Sequence, residues 1–397
     1  MSGPGVKKSP AALSVLADDP GLGELRRRVR AFLDKERDSG RLPPPGCDRW
    51  LSGWDPGFSQ RLAAQGWVGM LVPQDYGGPG AVPFERYVVT EELLAAGAPV
   101  AAHWVADRQI APTLLRFGTD AQKARFLPEI VQGRCYFAIG MSEPESGSDL
   151  ASVRTRAERV PGGWKVTGTK LWSSGAHHAH WSVMLVRTSD RPDPKSRLSQ
   201  LIVDLHAPGV TISPITSMTG EHHFNEIHLD SVLVPDAMLL GREGDGWPQV
   251  TAELAFERGG PERVLSSVPL LLSTFLAAPQ RADPAALGQL MARLIALRET
   301  AFSVSRSLGG NRSNPVDAAI IKHLGTRFEQ EVVDACRLLL PDTADLDAPP
   351  GSPSRLLAEG IMHSPGFTLR GGTNEILRGI IARSLYSSPR ADGKLTA

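Results

Sequence analysis

Apolar positions along the chain follow three successive rhythms. From Asp19 and Pro20, a capping side chain and a first-turn proline, Leu22, Leu25, Val29, Phe32 and Leu33 recur at helical spacing. The pattern predicts further helical segments around Phe58 to Gln65, Phe84 to Ala96 and Ala121 to Val131, with breaks such as Gly77-Gly78-Pro79-Gly80 between them. From about Tyr136 the period shortens to two. Val153, Thr155 and Ala157 alternate, Gly162-Gly163 supplies a hairpin turn, and Trp164, Val166 and Trp172 fall at even spacing on one side of the returning strand. Strands are also predicted at Trp181 to Val186, Leu201 to Leu205, Val210 to Ile215 and Phe224 to Val234. After Trp247 the helical period returns. Asp283-Pro284 and Asn314-Pro315 each place a capping side chain before a proline at the head of a long apolar-periodic run, and the polar stretch Pro341 to Pro353 interrupts the series. The expectation is an α+β protein with a loose tail (1–20), an N-terminal helical domain (21–135), a central β domain (136–238) and a C-terminal helical bundle (239–397).

Composition narrows the picture by exclusion. Forty-three basic residues balance 43 acidic ones, which disfavours a nucleic-acid or anionic-membrane partner. Cys47, Cys135 and Cys336 are widely spaced with no metal-ligand pattern, so each reads as a small buried filler. No apolar run is long enough to span a bilayer, and the first 20 residues lack both a signal core and an Arg-rich amphipathic pattern; a cytoplasmic protein is expected.

The candidate chemistry lies in Met141-Ser142-Glu143-Pro144-Glu145-Ser146-Gly147-Ser148-Asp149 and in Lys170-Leu171-Trp172-Ser173-Ser174-Gly175. Serine and aspartate in such loops also suit local turns, and Trp172 also suits half-buried β structure. Together the two segments resemble the flavin-binding signature of the acyl-CoA dehydrogenase family. The segments Gly66-Trp67-Val68-Gly69 to Gly78, Phe117-Gly118-Thr119 to Pro128 and Phe224-Asn225-Glu226 to Pro235 resemble further family segments, in the family's order. The resemblance covers most of the chain. It implies helical, β and four-helix domains with FAD between the last two, contacted by Ser142, Ser148, Trp172 and Ser174 on one side and by Thr373 and Glu375 on the other. Thr373 also suits a helix N-cap.

Many relatives place a catalytic glutamate directly before the Gly-Thr of the C-terminal motif, where this chain has Gly371 in Arg370-Gly371-Gly372-Thr373. Another branch carries its base in a Glu-Arg pair on the first long helix of the C-terminal domain, and Phe256-Glu257-Arg258 matches that pattern. The resemblance therefore implies that Glu257 removes the α-proton of an acyl thioester while flavin N5 accepts the β-hydride, giving a trans-2-enoyl thioester. Arg258, protonated at ordinary pH, would shape the site, and the Gly371 N–H would polarise the thioester carbonyl beside a flavin ribityl hydroxyl. An exposed ion pair on a helix is the plain alternative for Glu257-Arg258. Gly259-Gly260-Pro261 breaks the helix just beyond, either making room for a bulky acyl group or serving helix packing.

Other groups carry less. His177, His178 and His180, and His222, His223 and His228, would be split between faces by β alternation and are expected as loop or surface residues rather than metal ligands. His103 and Trp104 suit either an acyl pocket or a core. Two segments that complete the flavin site across subunits in symmetric homotetrameric relatives are missing: Phe275 to Asp283 lacks the first, and Pro341 to Pro353 falls where the second belongs. This chain thus looks similar to the base-bearing subunit of heteromeric bacterial members acting on steroid side chains, the other possibility being a homo-oligomer. The resemblance further implies a coenzyme A or acyl-carrier-protein thioester as substrate and an electron-transfer flavoprotein as acceptor. A flavin monooxygenase on the same scaffold, or a non-catalytic partner subunit of a heteromeric dehydrogenase, remains as an alternative.

Overall fold

The computed structural model describes residues 20–277, 283–308, 315–340 and 343–387. Helices come first, at Pro20–Asp38, Pro56–Ala63, Pro83–Ala95 and, as one nearly continuous run, Ala101–Phe117, followed by Asp120–Val131. Prolines open three of them, because a first-turn proline gives up an N–H that has no intrahelical partner. Thr119 and Gln122 cap the last reciprocally, each side chain bonding the other's backbone N–H at 3.2 and 3.0 Å. Within the Ala101–Phe117 run, Ala106–Ile110 forms a π-helical turn.

The sheet comprises β1 (Phe137–Gly140), β2 (Arg156–Val160), β3 (Gly163–Lys170), β4 (Trp181–Arg187), β5 (Leu198–Asp204), β6 (Val210–Thr216), β7 (His222–Pro235) and β8 (Leu239–Leu240). Its order is β6-β7-β3-β2-β4-β5-β8, with β1 added in parallel beside β4. The expected hairpin is present as β2–β3, pairing Val160 with Gly163. Two expectations change. The strand predicted from Val153 begins at Arg156, after a 3₁₀ turn at Leu150–Ser152. Trp172 does not continue the buried face of Trp164 and Val166: the β3–β7 register shifts between Val166 and Gly168, the strand ends at Lys170, and Trp172 stands at φ 62° with 55 % of its surface exposed.

Helices resume at Gly246–Arg258 and continue through Glu262–Leu265, Val268–Ala277, Pro284–Leu308, Pro315–Leu339, Pro353–Phe367 and Asn374–Ser387. Asp283 caps its helix, its Oδ1 accepting from the Ala285 N–H at 2.9 Å; the cap expected at Asn314 lies outside the described residues. One apolar core joins N- and C-terminal helices through Phe58, Trp104, Val264, Ile321 and Phe328, and a second fills the space between the sheet and helices 101–131. The helix Gly246–Arg258 is held to the sheet by Val250 in a small third core and by Gln249 Nε2, which donates to the Leu240 carbonyl at 2.7 Å. Among the described residues no helix is long and apolar enough to cross a membrane. All three cysteines are buried and free.

Candidate active site

The end of the helix Gly246–Arg258 meets the turn between the last two helices. Glu257 Oε1 accepts from Arg263 Nη2 at 2.6 Å, and Arg258 Nε donates to the Gly371 carbonyl at 2.7 Å. Gly371 and Gly372 take φ values of 68° and 92°, a region that penalises any residue with a Cβ. A Cβ on Gly371 would stand 2.8 Å from Glu257 Oε1, so the missing side chain is what allows the carboxylate to occupy this position. The Gly371 N–H donates to no protein group among the described residues. Glu257 is not the exposed half of a surface ion pair: its side chain is 20 % exposed, and Arg258 is buried.

Below the turn lies a residue that the sequence reading missed. Lys322 is fully buried and donates to the Gly372 carbonyl at 2.7 Å, to Asn374 Oδ1 at 3.2 Å and to the Thr368 carbonyl at 3.3 Å. Three oxygens of one turn therefore converge on one ammonium. Burial, aided by the nearby Arg263, depresses its pKa to about 7. The available signal was a lysine inside the apolar run Ala318-Ala319-Ile320-Ile321 to Leu324. The side chain of Arg370 in the same turn reaches the N-terminal domain, pairing with Asp48 at 2.5 and 3.1 Å. Burial pushes the Asp48 carboxyl up, but Arg370 and His363 outweigh it and hold it below its ordinary value.

Toward the sheet, the loop after β1 is fixed from beneath. Glu143 is buried and accepts from the Arg154 and Thr155 N–H groups at 2.6 and 2.9 Å and from Lys170 Nζ at 2.7 Å. Its carboxyl stays below its usual value because Lys170 and these donors overcome burial. This buried anchor orients a rim on which Ser142 is half-buried and Ser148 exposed, while the Leu171 N–H bonds the Ser142 carbonyl at 2.9 Å. Ser173 is turned inward to the Ile139 carbonyl at 3.0 Å, leaving its neighbours Trp172 and Ser174 on the accessible side. The indole of Trp172 touches Phe224 edge-on at 5.6 Å. Thr373 caps the final helix through the Ile376 N–H at 3.4 Å, and the exposed Glu375 carboxyl lies below its ordinary value because its own backbone N–H and the Thr373 hydroxyl bond it.

This donor set fits a flavin. An exposed indole held on left-handed backbone is costly unless a flat partner covers it, and hydroxyls flank it.

One turn before Glu257, Glu253 is fully buried against β5, where Gln200 Nε2 donates to Glu253 Oε2 at 3.0 Å. Gln200 Oε1 and Glu253 Oε1 are both buried without a partner. A proton on Glu253 resolves both, since an acid and an amide can exchange two hydrogen bonds. Burial, with a smaller push from Glu257, indeed raises the Glu253 pKa to about 8. Because the folded pKa lies above the unfolded one, the folded state binds more protons between them, and this contribution to stability is lost as pH rises through about 8. Thermal melts of Glu253→Gln, which keeps an amide in the proton's place, should show a shallower decline from pH 6 to 9 than the native chain. Parallel slopes would remove Glu253 from the account.

Alternation along β7 separates the exposed His222 and His228 from the buried His223, whereas His177, His178 and His180 lie in the turn before β4. His177 stacks on His222 and packs tilted against His178, with ring centroids 3.9 Å apart in each pair, because the 175–180 turn folds onto the start of β7. Among the described residues no cluster suits a metal. His103 and Trp104 are core residues, His103 Nδ1 lying 2.8 Å from Ser59 Oγ.

Two family models match this chain: the acyl-CoA dehydrogenase N-terminal domain over residues 22–134 and the acyl-CoA dehydrogenase middle domain over 138–232. The chain belongs to the acyl-CoA dehydrogenase family, a family of FAD flavoproteins. It is 33 % identical to the acyl-CoA dehydrogenase FadE29 of Mycobacterium tuberculosis over 83 % of this chain and 88 % of that one. It is 32 % identical to FadE34 of the same organism over 83 % of this chain but only 46 % of FadE34, so it spans about half of that protein. Among solved structures, the Tcur3481-Tcur3483 steroid ACAD is 27 % identical with a TM-score of 0.82, covering 94 % of this chain and 99 % of that one. A chain of the ChsE4-ChsE5 complex from M. tuberculosis is 29 % identical with a TM-score of 0.79, covering 95 % and 100 %.

Proposed function

We propose that the chain catalyses α,β-dehydrogenation of an acyl thioester, with Glu257 as the base that removes the α-proton. The observation that carries this reading is the apposition of the Glu257 carboxylate and the Gly371 backbone. A carboxylate to take the α-proton and a free backbone N–H close to it to polarise the carbonyl are what enolate formation requires. Arg263 keeps Glu257 Oε1 occupied, while Oε2 has no protein partner among the described residues and is the oxygen available to the proton. Arg258 and Lys322 hold the Gly371 and Gly372 carbonyls, which aims the Gly371 N–H without contacting substrate. Ser142, Ser148, Trp172, Ser174, Thr373 and Glu375 would hold FAD, whose chemistry at such a site is acceptance of a hydride from the β-carbon.

Coenzyme A or acyl-carrier protein would carry the acyl group, and an electron-transfer flavoprotein would take the electrons onward. A second, dehydrogenase-like chain would complete the assembly. Supporting that is the lack of the two partner-facing segments, together with exposed Leu324, Leu369, Ile376, Leu385 and Tyr386 on and between the C-terminal helices. The structural likeness to the Tcur3481-Tcur3483 steroid ACAD and the ChsE4-ChsE5 complex points the same way.

The test is anaerobic mixing of the FAD-loaded protein, with any copurifying chain, against linear, branched and polycyclic acyl-CoA thioesters. Bleaching of the oxidised flavin band by at least one is the expected result; an unchanged spectrum across the panel would defeat the reading.

A further inference from the structure

The helix break after Glu257 turns the chain back toward that residue. A Cβ on Gly260 would stand 2.0 Å from Glu262 Oε2, so the glycine serves packing rather than space for an acyl chain. The break returns the buried Arg263 to Glu257, where Nη2 bonds the carboxylate at 2.6 Å and Nε the backbone carbonyl at 3.3 Å. A second arginine, Arg370, directly precedes Gly371. One cation therefore holds the proposed base, and the other adjoins the proposed carbonyl donor.

Both arginines lie over one indole. The guanidinium carbons of Arg263 and Arg370 stand 5.2 and 5.5 Å from the ring centroid of Trp50, a buried side chain of the N-terminal domain. The indole is itself fixed, because its Nε1 donates to Ser266 Oγ at 2.9 Å and its ring packs on Trp104 at 5.5 Å. Two residues earlier, the Asp48 N–H donates to the Ser266 carbonyl at 3.0 Å, so residues 48 and 50 grip the same point of the C-terminal domain. Asp48 is buried at φ 61°, a left-handed conformation that an L residue keeps only where its surroundings impose it. Its carboxylate takes Arg370 through two bonds, at 2.5 and 3.1 Å, with His363 Nδ1 at 3.6 Å. Apolar side chains would join the domains at least as well as a buried ion pair, whereas a two-pronged pair also fixes direction.

We propose that Asp48 and Trp50 are positioning residues for α-proton removal, Asp48 acting through Arg370 on the Gly371 turn and Trp50 acting through Arg263 and Arg370 on Glu257 and that turn together. This rests on the dehydrogenase reading and adds the N-terminal domain to its machinery. A cation is drawn to the face of an indole most strongly away from water, which is where both arginines meet Trp50. Each residue acts at one remove from the reacting atoms.

The experiment is single-turnover flavin reduction by rapid anaerobic mixing of the FAD-loaded protein, with any copurifying chain, using whichever acyl-CoA of the panel above bleaches the native flavin fastest. Trp50→Phe and Trp50→Leu both lose the bond to Ser266, but only phenylalanine keeps an aromatic face. At saturating thioester, Trp50→Leu should reduce the flavin about ten- to thirtyfold more slowly than the native protein, and Trp50→Phe should recover most of that loss, with FAD content and the half-saturating thioester concentration little changed. Asp48→Asn should slow reduction by at least about tenfold in the native background and by less than about twofold in an Arg370→Met background, since its effect passes through that arginine. Equal rates for Trp50→Phe and Trp50→Leu, or an Asp48→Asn loss that persists undiminished after Arg370→Met, would overturn the inference, while bleaching of the native flavin would leave the dehydrogenase standing. Should a variant in one comparison not fold, the other comparison decides. No bleaching of the native flavin by any thioester would remove the dehydrogenase reading and this inference together.

Discussion

Glu257→Gln should slow flavin reduction by an acyl thioester by about 10² to 10⁴-fold while leaving bound FAD unchanged. The substitution keeps the size of the side chain, and its amide oxygen can still accept from Arg263, which now donates to Glu257 Oε1 at 2.6 Å. What it removes is the oxygen that can take a proton. The deficit should therefore fall on the reduction step rather than on thioester affinity, because the lost interaction forms only as the α-proton leaves. Rapid mixing separates the two. Reduction within about tenfold of the native rate, with FAD intact, would assign the base to another group.

Lys170→Met should destabilise the protein by about 3–5 kcal/mol, read as a lower denaturation midpoint, because it strands a buried charge. Lys170 is fully buried, and its ammonium reaches Glu143 at 2.7 Å, the Leu185 carbonyl at 2.5 Å and the Met141 carbonyl at 3.3 Å. Burial lowers its pKa to about 8 even with Glu143 beside it, which leaves the ion pair charged near neutrality. Without the lysine, the buried Glu143 carboxylate keeps only the Arg154 and Thr155 N–H groups. The loop bearing Ser142 and Ser148 hangs from that carboxylate, so FAD content should fall along with stability. Adding Glu143→Leu removes the stranded charge and should recover part of the loss. Equal stability of Lys170→Met and the native chain would show that the pair contributes nothing net.

Several parts of this protein were legible without coordinates because their causes are local. Helices begin at Pro20 and Pro284, where proline can start a helix but not continue one, and Asp283 adds its side-chain cap. The β2–β3 hairpin turns at Gly162, at φ 80°, which glycine tolerates best. Glu257, Arg258 and Gly371 could be singled out from motif order, and the tertiary structure brings them together. Periodicity, however, records which face of an element is buried and not what it is buried against. Arg263 as the partner of Glu257 and Lys322 beneath a turn 50 residues further on exist only once separate helices pack, and Gln200 opposite Glu253 and Asp48 on Arg370 across 322 residues only once separate domains meet. Trp172 left its expected face for the same reason, since the bulge that shifts β3 lies in its pairing with β7, not in its own residues. The sequence by itself determined the α, β, α succession and the loops that carry the chemistry, through local backbone preferences and apolar spacing. The tertiary structure decided which buried charges have partners, because the low dielectric that makes such pairing matter arises only when the domains close over it.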